Sequence, residues 1–297
     1  MGKITRITHK VGMINTPLIL IILLLWATVL STTGLPSAYA WFALKLVLPF
    51  LGMAGLFISL ILVIIALCKK RQIASHLFSV VLCSIMALHL LLTLNMIQMP
   101  YPARIDKTTP VLTAEWPLKQ ATVVGWGGDS TAVNLPHVIW PSERWAYDLV
   151  MEPYDSGSTS SEDYGIWDQE VLAPVSGTVI AAYDKEPDIT PGSEDILSVE
   201  GNHVYLVVDE TGTYLLLNHL RQNSVTVKVG DHVNPGDILG RVGNSGSTSE
   251  PHLHIHHQRQ NPESTLHPTL AEGLPLYFKG TDADPMPQKG TVVYPQH

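Results

Sequence analysis

Near its C-terminal end the chain reads Pro251-His252-Leu253-His254-Ile255-His256-His257. On a strand, side chains alternate between faces, so His252, His254 and His256 point the same way. Two imidazoles so placed can share one metal ion. Alternatively, one can hold the metal while the other works on a water beside it. A purely structural cluster of this kind is hard to satisfy with hydrogen bonds once it is buried. The stretch therefore points to metal or acid–base chemistry.

A hydrolytic zinc site takes three protein ligands and keeps one position for water. The two cysteines, Cys68 and Cys83, lie in or beside apolar runs of the first hundred residues. Beyond those runs neither a disulfide scaffold nor a cysteine-type zinc site is available, so the partners of His254 must be His, Asp or Glu. The segment from His137 to Asp148 offers both of its end residues. Asp148 sits in an otherwise apolar strand beside Trp145, Ala146, Tyr147, Leu149 and Val150. A metal would compensate the cost of that carboxylate, as would a simple pairing with Arg144. His219 ends the run Tyr214-Leu215-Leu216-Leu217-Asn218. An isolated His in an apolar strand is more often a satisfied core residue than a site residue.

The elements that must position these residues divide the chain into halves of opposite character. Residues 1–100 contain no Asp or Glu and seven basic residues, whereas the rest carries a formal charge of −15. That acidity disfavours nucleic acid as a partner. The first half (1–100) reads as an α-helical transmembrane domain of about three helices. Apolar runs cover about 17–32, 41–67 and 76–97, each near the ~20 residues that span a bilayer. Lys45 lies near the start of its run, where it can snorkel to the interface. Lys3, Arg6 and Lys10 precede the first run, and Lys69, Lys70 and Arg71 separate the second from the third. Positively charged loops stay cytoplasmic, so everything after residue 100 is expected outside. Ala38-Tyr39-Ala40 has the small-residue pattern of a signal-peptide cleavage site, but an apolar run resumes at once behind it.

After a Pro-containing linker (101–120), the second half reads as a mostly-β domain with an antiparallel sheet. The expected strands are Ala121–Gly125, Ala146–Met151, Glu170–Ala173, Gly177–Tyr183, His203–Asp209, Thr213–Leu220, Ser224–Val227, Ile238–Val242 and His252–His257. Gly/Pro/Asn/Asp clusters separate them, and no amphipathic helix intervenes. Gly230-Asp231 and Pro235-Gly236-Asp237 mark tight turns. The tail (263–297) shows little periodicity and is expected to wrap the surface or be partly disordered.

Several segments together resemble the LytM/lysostaphin-type zinc metallopeptidases, which cut peptide bonds of bacterial peptidoglycan. They are Trp145-Ala146-Tyr147-Asp148, Val171-Leu172-Ala173-Pro174-Val175-Ser176-Gly177-Thr178-Val179, Gly201-Asn202-His203-Val204 and Leu217-Asn218-His219-Leu220. Val229-Gly230-Asp231-His232-Val233 follows, and then Gly243-Asn244-Ser245-Gly246 leads to Glu250-Pro251-His252-Leu253-His254. The resemblance runs from about Val123 to His257 and implies a zinc metallopeptidase-like β domain over 121–262, of the LytM or duplicated-hybrid-motif type. It also implies one Zn2+ per chain, with Asp148 and His254 as ligands and His219 and His252 beside the metal-bound water and the substrate carbonyl.

The chain departs from the commonest family pattern at one point. That pattern has a His four residues before the Asp, where this chain has Arg144, and a guanidinium cannot ligate zinc. Members reading Arg-aromatic-Ala-x-Asp supply the His earlier, and His137 fits that variant as the third ligand. Asn202, His203, Asn218 and His256 are candidates for supporting the metal ligands or touching substrate. Gly243–Thr248 is either an ordinary turn or a loop that lets a substrate backbone approach.

The expectation that follows is a multi-pass protein of the bacterial cytoplasmic membrane with an extracytoplasmic zinc endopeptidase domain. Its partners are peptidoglycan peptides and the lipid bilayer. The alternative, suggested by Arg144, is an inactive relative that binds cell wall or regulates a partner hydrolase. A phosphotransfer module using His219 or His252 fits poorly, because phosphoryl donors are cytoplasmic.

Overall fold

The computed structural model describes residues 2–97, 99–267 and 270–296, with side chains described from Asn15 onward. Two compact units emerge, Met1–Met99 and Pro100–His297.

The first unit is helical. It comprises α1 (Gly2–Ser31), α2 (Leu35–Phe42), a π-helical turn (Ala43–Val47), α3 (Leu48–Cys68), α4 (Ala74–Leu88) and the short α5 (Leu90–Thr93). Two stretches are long and apolar enough to cross a bilayer, Leu35–Cys68 and Ala74–Thr93, whereas the apolar part of α1, Asn15–Ser31, is shorter. The side chains of Lys3, Arg6 and Lys10 lie outside the described residues. α3 and α4 pack closely because α3 is small where they meet. A Cβ on Gly52 would lie 2.4 Å from Ala87 N, and one on Gly55 would lie 2.7 Å from Cys83 Sγ. Lys45 does not reach outward: it is buried, and its Nζ donates to Asn95 Oδ1 at 3.2 Å. The turn around it is π-helical, a form that re-aims side chains.

The second unit is built on strands β1 (Leu112–Glu115), β2 (Thr122–Trp126), β3 (Tyr147–Val150), β4 (Glu170–Leu172), β5 (Gly177–Tyr183) and β6 (Asn202–Val208). They are followed by β7 (Tyr214–Leu220), β8 (His232–Val233), β9 (Ile238–Arg241), β10 (Leu253–Gln258), β11 (Leu276–Lys279) and β12 (Val292–Val293). Eight form one antiparallel sheet in the order β12-β2-β3-β10-β7-β6-β5-β8. β4 pairs with β9 antiparallel, and β1 pairs with β11 in parallel, a departure from the expected antiparallel arrangement. Alternation buries Leu253 and Ile255 of β10, Leu215 and Leu217 of β7, and Leu149 of β3 in the main core on one face. The opposite face carries the polar residues of the same strands.

Three expectations need correction. Ser224–Val227 forms no ladder: Thr226 N donates to Leu239 O, but Ser224 N turns back to Arg221 O. Ser224 Oγ donates to Arg221 O, and Thr226 Oγ1 donates to Ile238 O. The 101–120 segment is more than a linker, since it holds β1 together with buried Trp116 and Leu118. The tail does not merely wrap the surface. Leu276, Phe278 and Val293 enter the main core through β11 and β12. The alternation of Leu276-Tyr277-Phe278-Lys279, buried on every second residue, is the period-2 signal. A short helical stretch that the sequence reading placed in no element, α6 (Thr131–Val138), kinks at Asn134 and carries His137.

Candidate metal centre

The sheet register assembles the centre. His254 on β10 pairs with Asp148 on β3 to one side and with Asn218 on β7 to the other. Residues directly opposite in an antiparallel pair share a face, so these three side chains form a row across the sheet. His137 arrives from α6. His137 Nε2 lies 3.2 Å from Asp148 Oδ1, and His254 Nδ1 lies 2.9 Å from the same oxygen. His137, Asp148 and His254 offer ligand atoms all within 4.8 Å of one another. Two imidazoles and one carboxylate suit Zn2+, and three protein donors leave a position for water. The residues present therefore fit the metal.

The two other histidines stand beside this triad. His252 Nε2 is 3.6 Å from Asp148 Oδ1, and the rings of His219 and His252 are 4.7 Å apart. On a regular strand, His219 would face away from Asn218's side. Instead β7 carries an extra residue opposite β6, where the register jumps between Asn202 and Val204, and His219 has φ 63°. This bulge turns its side chain onto the face of the metal site.

Each imidazole is held by its outer nitrogen. His137 Nδ1 donates to Asn134 Oδ1 at 2.7 Å, and that amide is oriented in turn because its Nδ2 donates to Gly128 O and Ala146 O. His219 Nδ1 donates to Ser245 O at 2.9 Å, and His252 Nδ1 donates to Glu250 O at 2.8 Å. A carbonyl only accepts, so the outer nitrogen of each ring carries a proton, and the inward nitrogen is the one the ring would offer to a metal or a water. The Gly243–Thr248 loop supplies the acceptor for His219. Its Ser245 is fully buried, and Gly246 packs so closely on Gly201 that an added Cβ would meet Gly201 N at 2.4 Å. The loop braces the histidines, and Thr248 Oγ1 also meets His252 Nδ1 at 3.1 Å.

Electrostatics follow from this crowding. Burial alone would raise Asp148, but the imidazoles of His137 and His252 outweigh it and hold the carboxyl well below its usual range. Burial lowers His254, yet the Asp148 carboxylate bonded to it leaves it raised. Burial, and then the neighbouring His252 and His254, push His219 well below the usual imidazole value. Burial likewise lowers His256.

Of the remaining expected site residues, His256 and Asn218 come to the centre. His256 Nδ1 is 2.8 Å from His254 Nε2, and Asn218 Oδ1 is buried without a hydrogen-bond partner. The donor atoms of Glu143, His254 and His256 also lie within 4.8 Å of one another. Asn202 and His203 do not take part. Asn202 bonds to the backbone of Glu186 and Leu220, and His203 donates to Gly201 O and stacks on Tyr205 at 4.3 Å. Arg144 points away from the centre: it bonds Pro102 O at 3.1 Å and Asp129 Oδ1 at 2.7 Å, so it is not the partner of Asp148. Asn134 was missed by sequence reasoning. Its signal was the i, i+3 spacing to His137.

Residues 163–265, within the second unit, match the model of Peptidase family M23. The match includes His219, His252 and His254 and begins beyond His137 and Asp148. Among solved structures, the antimicrobial peptidase lysostaphin from Staphylococcus simulans is similar at 21% identity, covering 56% of this chain and 51% of that one, with a TM-score of 0.33. A zinc-containing peptidase from Vibrio cholerae is similar at 18% identity, covering 50% and 35%, with a TM-score of 0.27. The M23 metalloprotease pseudoalterin, from the deep sea, is similar at 16% identity, covering 63% and 99%, with a TM-score of 0.36. The chain thus spans about half the length of the full lysostaphin chain it matches. No curated protein matches it.

Proposed function

We propose that the chain is a membrane-anchored zinc endopeptidase that hydrolyses peptide bonds of cell-wall peptidoglycan on the outer side of the bacterial cytoplasmic membrane. The observation that carries this reading is the convergence of His137 Nε2, Asp148 Oδ1 and His254 Nδ1 within 4.8 Å, beside two further imidazoles, in a domain of the M23 type. The residues that would hold the metal are His137, Asp148 and His254. Bound there, zinc supplies a Lewis acid that acidifies a water and polarises a carbonyl.

The rest is done by the chain. Asp148 brings a negative charge at every physiological pH. His252 and His219 present lone pairs inward, since their outer nitrogens are committed to backbone carbonyls. A neutral imidazole so oriented accepts a proton rather than donating one. His252, at 3.6 Å from Asp148 Oδ1, takes the proton of the attacking water and returns it to the leaving amine. His219, deeper and kept neutral, closes the other side of the site.

The anchoring part of the proposal rests on the two apolar helices and on the basic residues flanking them. Arg144, bonded away from the centre, gives no ground for an inactive relative. The test is cleavage of isolated peptidoglycan peptides by the full chain in detergent. Hydrolysis that stops with a chelator and returns with zinc supports the proposal. Absence of cleavage by a zinc-loaded chain overturns it.

A further inference from the structure

His137, His219 and His252 are each oriented by an oxygen. His254 differs, because its outer nitrogen meets another imidazole, and the pair alone does not say which ring donates. The direction comes from farther along β10. Gln258 Nε2 lies 2.7 Å from Gln260 O, which only accepts, so the amide turns its nitrogen there and its Oε1 toward His256. His256 Nε2, at 3.2 Å from that Oε1, carries the proton. His256 is buried, and as a neutral ring it holds its lone pair on Nδ1, 2.8 Å from His254 Nε2. His254 Nε2 is then a donor to His256, and Nδ1, bonded to Asp148 Oδ1 at 2.9 Å, is the nitrogen whose proton a bound metal would displace.

We infer that Gln258 is a positioning residue of the metal centre: through His256 it fixes which nitrogen of His254 bears the lone pair offered to the metal. The inference rests on the metal site proposed above. Residues 254, 256 and 258 can act in line because alternate strand residues share a face. Without an acceptor at 258, His256 is free to take its other tautomer. Its Nδ1–H would then require a lone pair on His254 Nε2, which moves the His254 proton onto the ligating nitrogen. A second cation held by Glu143, His254 and His256 is the competing use of these atoms. It is disfavoured because the two ring nitrogens are spent on each other.

The experiment compares wild type, Gln258→Leu, Gln258→Glu and His254→Ala as full-length chains in detergent. It reads zinc affinity by chelator competition and ring tautomers by histidine 15N shifts. Expected are a zinc affinity roughly tenfold to a hundredfold weaker in Gln258→Leu, near wild type in Gln258→Glu, and lost in His254→Ala. The tautomer spectrum should show Nε2–H on His256 in wild type and a mixture in Gln258→Leu. Wild-type affinity in Gln258→Leu, a failure of Glu to rescue, or two zinc ions per wild-type chain each overturns the relay. If the affinities follow the expected pattern but no peptide is cut, the relay stands and the peptidase reading falls.

Discussion

At the scale of single residues, the chemistry depends on which side of each imidazole is occupied. In the proposed site, His252 just before β10 and His254 within it divide between handling a proton and holding a metal. His254 shares Asp148 Oδ1 at 2.9 Å and stands in the donor set, whereas His252 lies outside it at 3.6 Å. His254→Ala is expected to lose both zinc and hydrolysis. His252→Ala is expected to keep zinc and to lose roughly 10²–10⁴ in kcat, the usual contribution of a positioned base. Zinc content and turnover measured on both variants check this, and equal zinc loss in the two would remove the distinction. The residue types of the site were legible in the sequence, from the alternating histidines and from an Asp in an apolar strand. The supporting oxygens were not. Ser245 O reaches His219 across 26 residues of sequence, and a backbone carbonyl leaves no mark in the residue letters.

At the scale of elements, the strands place His254 and Asp148, and a loop holds His219. Gly201 has φ 62°, and an added Cβ would lie 2.3 Å from Ser245 O, the acceptor for His219. Gly201→Ala therefore combines backbone strain with displacement of that carbonyl. The expected result is a destabilisation of about 1–3 kcal/mol and a fall in kcat, with zinc still bound. Thermal melting and zinc content of the purified variant test it, and an unchanged melting midpoint would contradict the close packing. β5, buried on every second residue, and β7, a short apolar run between turns, were readable from sequence. The bulge that turns His219 onto the site face was not. It arises from pairing with β6, and no residue of β7 announces it. β11 was overlooked because its four residues sit among Pro and Gly, although Leu276 and Phe278 alternate with Tyr277 and Lys279.

At the scale of the whole molecule, two units of opposite composition are joined in one chain, a helical one without acidic residues and an acidic β unit. The β unit has a built-in acid lability apart from the candidate metal ligands. His257 points to the core face, where Thr213 Oγ1 meets its Nε2 at 2.6 Å and Pro275 O accepts from its Nδ1. Burial pushes this imidazole down to about 4. A histidine in the unfolded chain takes up its proton near pH 6.5, so the folded state loses stability as pH falls from about 6.5 toward 4 and has it in full above that window. The loss amounts to about 3 kcal/mol for this group. His257→Gln should flatten part of that slope, as read from melting midpoints between pH 7 and 4. An unchanged slope would mean that His257 is not neutral in the fold.

The central claim is that His137, carried by a kinked helical stretch outside the sheet, completes the ligand set that Arg144 at the usual family position does not. The most direct measurement is the zinc stoichiometry of the full-length chain in detergent, wild type against His137→Ala. One zinc per wild-type chain and its loss in the variant is the predicted result. A wild type without zinc, or a variant that keeps it, would contradict the account.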